Sequence, residues 1–263
     1  MVNQKALCIE GKVRLDIIRA AFSAGNSGSH IAPSLSVAEI CLAVLSHLDS
    51  AKDTLILSKG HGALGCYSAM HQLGIITDEQ FASFEENGGD FPGQPSRSRK
   101  NHIAFSSGSL GMGLSYGLGI AIGAKPVDGK AFVILGDGEL NEGSNWEAAA
   151  LASRYQAENL IAVVDNNGMQ SDGRCQDIMG QQLRQIWEAH GWHIQMCDGH
   201  SITQLTEKLN CDHRGKPLVI IAQTTKGKGI SFMENNNAWH HAVLRERDFL
   251  SAKEEIEQTY GVY

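Results

Sequence analysis

Nowhere in its 263 residues does this chain hold an apolar run approaching the roughly 18 residues that a membrane-crossing helix needs. The polar start Met1-Val2-Asn3-Gln4-Lys5 also lacks the apolar stretch of a secretory signal. No block of about five or six like charges forms a tail, and a net charge of −7 with a pI near 5.9 argues against a nucleic-acid surface. The six cysteines, at positions 8, 41, 66, 175, 197 and 211, form no C-x-x-C pair, so metal-ribbon and dithiol-redox spacings are missing. They are read as buried free thiols in a reducing compartment. Internal repeats and low-complexity tracts are missing too. What these absences leave is a cytoplasmic globular protein with no affinity for membrane or nucleic acid. With 42% hydrophobic and 19% charged residues, it can bury a large core and reads as one domain over 1–263.

Short apolar, β-branched runs alternate with helical patterns. Strands are expected at 54–58, 130–135, 159–165, 193–197 and 217–222, and helices at 5–24, 37–48, 110–124, 183–190, 202–209 and 245–260. Such alternation predicts an α/β fold, a doubly wound and mostly parallel sheet with right-handed crossovers and helices on both faces. Residues 86–109, rich in Gly, Pro, Ser and Asn, form a long irregular segment, either a binding loop or a mobile one.

Chemistry concentrates at Gly136-Asp137-Gly138-Glu139-Leu140-Asn141-Glu142-Gly143 and at Asn167, 30 residues beyond Asp137. Both Asp137 and Asn167 follow expected parallel strands, and open α/β sheets bind ligands at strand carboxyl ends. A carboxylate and an amide there suit Mg²⁺, a hard cation that takes oxygen ligands and keeps places for water and phosphate. The flanking glycines let backbone N–H groups approach phosphate oxygens. Taken alone, Gly-Asp-Gly is equally the turn between a strand and a helix. The glycines of Gly111-Met112-Gly113-Leu114-Ser115-Tyr116-Gly117 do not make a dinucleotide site, since their spacing is wrong and no strand precedes them.

Six blocks, in order, resemble the transketolase family. They are Ser34-Leu35-Ser36-Val37-Ala38-Glu39-Ile40 after His30; Ser58-Lys59-Gly60-His61-Gly62; Ser107-Gly108-Ser109-Leu110-Gly111; the segment from Leu135 to Gly173 with Trp146-Glu147-Ala148-Ala149 and Asp165-Asn166-Asn167-Gly168; Asp198-Gly199-His200; and Thr224-Thr225-Lys226-Gly227-Lys228-Gly229 with Trp239-His240 downstream. The resemblance implies a thiamine-diphosphate-binding fold of the diphosphate-binding type. It also implies that this chain is the amino-terminal subunit of a split transketolase, because Tyr263 falls where the first of three family domains would end. The pyrimidine-binding domain, its cofactor-activating glutamate and the carboxyl-terminal domain are then expected on a partner, in a heterotetramer of two copies of each subunit.

Residue by residue, the resemblance puts Asp137, Asn167 and the Met169 carbonyl on Mg²⁺, or on Ca²⁺ or Mn²⁺. It sets Gly138 beside the diphosphate, Leu110 on the thiazolium and Gly108 at the aminopyrimidine. His61 and His240 would lie near the diphosphate and reacting carbon, and His30 at substrate hydroxyls, all three acting in catalysis. Glu142 matches a glutamate of the subunit contact, its other reading being a solvated acidic helix start. The chain departs from the family at Gly28-Ser29-His30-Ile31-Ala32, at Met112, at Asn101-His102-Ile103-Ala104, and at Gly93-Gln94-Pro95, where a neutral amide replaces a substrate-facing imidazole. Gln94 can hydrogen-bond but cannot carry a proton, and His102 is a candidate replacement. These departures point to sugars outside the standard pentose-phosphate set. The implied function is transfer of a two-carbon ketol unit from a ketose phosphate to an aldose phosphate. Its rivals are a subunit of another thiamine-diphosphate enzyme, either a two-oxo acid dehydrogenase or a pyruvate-decarboxylating synthase, and a non-catalytic cofactor-binding subunit.

Overall fold

The computed structural model describes residues 2–180 and 182–262, with side-chain environments from residue 9 onward. The amino-terminal part holds α1 (Val2–Ser23), α2 (Ile31–His47), β1 (Thr54–Leu57), α3 (Ala63–Gln72), α4 (Asp78–Ala82) and α5 (Gly113–Ala124). After it come β2 (Ala131–Gly136), α6 (Gly143–Arg154), β3 (Leu160–Asn166), α7 (Cys175–Met179) and α8 (Leu183–Ala189). The chain closes with β4 (His193–Asp198), α9 (Ile202–Leu209), β5 (Leu218–Gln223) and α10 (Glu246–Tyr260). The strands form one sheet in the order β1-β2-β3-β5-β4, and all four pairings are parallel. Among the described residues no helix is long and apolar enough to cross a membrane.

Alternation along each strand divides the core into two layers. Phe132, Ile134, Ile161, Val163 and Ile220 face one side, packing with residues of α1, α2, α3 and α9. Val133, Leu135, Ala162, Val164 and Ile221 face the other, with Leu114 and Leu118 of α5, Ala148 and Ala149 of α6, and Trp187 of α8. Every residue of β2 is buried, as a central parallel strand covered on both sides requires. The glycines of α5 serve this packing. A Cβ on Gly117 would stand 2.4 Å from the Val133 side chain, and one on Gly113 2.3 Å from that of Ser58.

Helix α2 begins six residues earlier than the sequence pattern indicates, at Ile31 in place of residue 37. The serines read as a loop entry are satisfied inside the helix. Ser34 Oγ donates to the His30 carbonyl at 2.7 Å and Ser36 Oγ to Asp165 Oδ1 at 2.7 Å, while Pro33 sits in the first turn, where no N–H partner is needed. Among the cysteines, Cys41, Cys66 and Cys197 are buried free thiols as expected, but Cys175 and Cys211 are only half-buried. Cys8 lies outside the residues whose side chains are described. Both half-buried thiols sit at an element end or just beyond one, Cys175 opening α7 and Cys211 following α9, where the core no longer covers them.

The two-layer packing fixes where polar chemistry can occur. The carboxyl ends of β1, β2, β3 and β5 run into Ser58-Lys59-Gly60-His61, Asp137-Gly138, Asn167-Gly168 and Thr224-Thr225-Lys226. Parallel pairing brings these four turns to one edge of the sheet.

Candidate active site

A cavity of about 240 Å³ opens at that edge. His30, His61, Gln94, Gly108, Leu110, Asp137, Gly138, Asn167, Met169 and His240 all line it, so ten of the residues singled out in the sequence converge. Glu142 does not. It is exposed at the amino end of α6 and makes no side-chain cap, because the 3-10 turn at Gly138–Asn141 carries it out of the cavity. His102 also stands elsewhere, exposed with a φ of +57° and lining a separate 590 Å³ groove beside β1. It cannot replace the imidazole missing at position 94.

The acidic end of the cavity is built on hydrogen bonds from backbone. Asp137 accepts from the N–H groups of Gly138 at 2.7 Å and Gly168 at 2.5 Å. Burial and then the nearby Asp165 push its carboxyl up to about 6. Asn167 turns its amide nitrogen to Ser36 Oγ, 3.0 Å away, which points its oxygen the other way, to accept from Met169 N–H at 2.9 Å. A carboxylate oxygen and an amide oxygen therefore stand on neighbouring strand ends with lone pairs to spare. Among the described residues no group of three His, Cys, Asp or Glu side chains could hold a metal ion. The donors are those of a hard cation that completes its shell with water and phosphate.

Two lysines line the same cavity, and sequence reasoning passed over both. Lys59, fully buried, forms an ion pair with Asp165, which also accepts from Ser36 and Thr224. Lys226, also buried, bonds only to neutral oxygens: the Gln170 carbonyl at 2.9 Å and Asn237 Oδ1 at 3.1 Å. Burial first and the charge of Lys59 next pull the Lys226 ammonium down to about 8. A buried cation with no carboxylate hydrogen-bonded to it, at the mouth of a cavity, is a seat for an anion. Glu139 is the third omission. It accepts from Ser58 Oγ and from the Gly111 and Gly136 N–H groups, at 2.9 and 3.1 Å, tying the turns after β1 and β2 to the 108–111 segment. The signal for all three was available, because each lies within a block already singled out at a strand end.

The histidines form a cluster. Ring centroids are 6.0 Å apart for His30 and His61, 5.5 Å for His30 and His240, and 5.4 Å for His61 and His240. Burial is the main cause that lowers all three, aided by the two lysines and neighbouring imidazoles. His30 falls to about 4, His240 to about 3 and His61 well below its ordinary value. At neutral pH each ring is thus uncharged, with one donor and one acceptor nitrogen. His240 Nδ1 is buried without a hydrogen-bond partner among the described residues, an unmet demand that a ligand in the cavity can satisfy.

Together these features define a doubly wound α/β protein with a cation-and-anion site at its strand carboxyl ends. The sequence matches the family profile described as transketolase, thiamine diphosphate binding domain, over residues 26–261, and the chain belongs to that family of transferases. One of the two kinds of chain in an apulose-4-phosphate transketolase from Actinobacillus succinogenes is 37% identical over 243 residues, covering 88% of this chain and 88% of the relative. A 6-deoxy-6-sulfo-D-fructose transketolase subunit from a Clostridium species is 35% identical over 243 residues, covering 87% of this chain and 88% of that one. The crystal structure of Pichia stipitis transketolase in complex with sedoheptulose 7-phosphate superposes with a TM-score of 0.83 at 26% identity, covering 99% of this chain. The match spans only 41% of that longer transketolase chain.

Proposed function

We propose that this chain is the cofactor-holding subunit of a split transketolase that transfers a glycolaldehyde unit from a ketose phosphate to an aldose phosphate. The observation that carries this reading is the convergence of His30, His61 and His240 with Asp137 and Asn167 on one cavity. The cofactor is thiamine diphosphate, which when bound supplies a carbon nucleophile able to carry the two-carbon unit. Unpaired Lys226 and the orphaned His240 Nδ1 fit such a group.

Asp137, Asn167 and the Met169 carbonyl would hold Mg²⁺, or Ca²⁺ or Mn²⁺, with Gly138 and Lys226 facing the diphosphate. Gly108 and Leu110, lining the same cavity, would meet the ring portion of the cofactor. His61 and His240 serve the reacting carbon and His30 the substrate hydroxyls. As neutral imidazoles they can stabilise an oxygen that gains charge, then take or return its proton. Gln94 contributes a hydrogen bond without proton transfer. Glu142, exposed on α6, belongs to the subunit contact. A carboxyl-terminal subunit supplies the pyrimidine-binding domain, in a cytoplasmic assembly of two copies of each chain.

Ketol transfer measured with this chain, the product of an adjoining reading frame, thiamine diphosphate and Mg²⁺ tests the reading. Transfer is expected only from the complete mixture, and Asp137→Ala should lower it at least about a hundredfold by removing a charged metal ligand. Decarboxylation of a two-oxo acid without transfer would identify the dehydrogenase or synthase chemistry instead. An assembled pair that turns over no donor would be a non-catalytic cofactor binder.

A further inference from the structure

Beside the cofactor cavity lies a second hollow of about 200 Å³. The two share His30, His61 and Gln94, so they meet at the imidazole cluster. Its other polar groups are Glu85 and His241, and neither belongs to the site already described.

The backbone places His241 there. Ser29 and Ala242 form an isolated antiparallel bridge, each N–H donating to the other's carbonyl at 3.0 Å. The next pair outward, His30 and His241, is then a non-hydrogen-bonded pair, the position at which facing side chains stand closest. Their ring centroids are 4.6 Å apart, edge to face. Gly28, with a φ of +67°, leaves the space, since a Cβ there would stand 3.0 Å from His241 Cε1. No hydrogen bond engages either ring nitrogen of His241 among the described residues, so both are free for a ligand. Glu85 is fixed on the other side: its backbone has a φ of +57°, and its carboxylate accepts from Gly93 N–H at 2.5 Å.

We infer that this hollow receives the hydroxyl-bearing carbons of the ketose next to the transferred two-carbon unit, and that His241 is a specificity residue that hydrogen-bonds them. The Glu85 carboxylate repels an anionic group from the hollow. The substrate class is therefore a ketose with neutral hydroxylated carbons adjoining the ketol and its phosphate or sulfonate at the far end of the chain. This deepens, and rests on, the reading of the site as a ketol transferase.

Two probes separate the hollow from the chemistry: sedoheptulose 7-phosphate, with a long hydroxylated chain, and 3-hydroxypyruvate, which puts a carboxylate where that chain begins. In the assembled pair, His241→Ala should raise the ratio of their KM values, sugar over hydroxypyruvate, roughly fivefold, the worth of one neutral hydrogen bond, with the effect in KM and not in kcat. His241→Gln, which keeps hydrogen-bonding capacity, should restore most of it, and Glu85→Gln should lower KM for hydroxypyruvate. In protein with ¹³C-labelled histidine rings, the His241 signal of the unmutated pair should move on adding sedoheptulose 7-phosphate. A signal that moves in a pair showing no transfer would uphold the hollow and sink the ketol-transferase reading. Transfer with an unmoved signal and an unchanged KM ratio would do the reverse.

Discussion

At the scale of single residues, the site depends on a buried network that no part of the proposed chemistry uses. Arg14 and Glu39 form a fully buried ion pair. Arg14 Nε also donates to the Lys228 carbonyl at 3.1 Å, and Glu39 Oε2 meets His200 Nδ1 at 2.9 Å. The other nitrogen of His200 accepts from Thr225 N–H at 2.8 Å. The loop that carries Lys226 is therefore held on both flanks by charged side chains of α1 and α2. Arg14→Met should cost about 3–5 kcal/mol in urea unfolding, because Glu39 keeps its burial and loses its cation. Burial would raise the Glu39 carboxyl, yet Arg14 and His200 hold it at about 2. A depressed carboxyl stabilises fully above the ordinary value near 4.5 and loses that contribution as pH falls through about 2. In acid titration followed by circular dichroism, Arg14→Met should accordingly unfold at a higher pH than the parent chain. An unshifted acid midpoint would show that the pair adds nothing to stability. Asp137, Asn167 and the three histidines could be read from sequence because turn chemistry and strand ends announce them. Lys59, Lys226 and Glu139 could not, since a lysine or glutamate beside glycine looks solvated until the sheet buries it.

At the scale of elements, close packing of α2 against α3 sets the position of the turn that carries His61. Gly65 makes that approach possible: a Cβ there would lie 2.4 Å from the Ser34 carbonyl oxygen, a backbone atom that cannot step aside. Gly65→Ala should therefore cost about 1–3 kcal/mol by pushing the helices apart, seen as a lowered thermal midpoint. An unchanged midpoint would mean that the helices separate freely. The five strands were legible because a parallel sheet covered on both faces demands apolar, β-branched runs. The start of α2 was not, because Ser34, Ser36 and Pro33 resemble loop residues, and only tertiary partners reveal that the serines are satisfied within a helix. Helix α4 is short and owes its boundary to a capping box in which Thr77 and Gln80 exchange hydrogen bonds, a local signal that apolar periodicity does not detect.

At the scale of the molecule, the arrangement is a rigid two-layer sheet with one polar edge. Four strand ends deliver a carboxylate, an amide, two buried lysines and a cluster of neutral imidazoles to a single cavity. The balance of charge there is uneven: Lys59 is neutralised by Asp165, whereas Lys226 has only neutral partners and Asp137 only backbone ones. A diphosphate and a divalent cation entering together would answer both, the anion at Lys226 and the cation at Asp137. Calorimetric titration of thiamine diphosphate into this chain assembled with its partner, with and without Mg²⁺, tests that joint demand most directly. The prediction is binding that requires the cation and is lost in Asp137→Ala, and binding of equal strength without Mg²⁺, or in the variant, would contradict it.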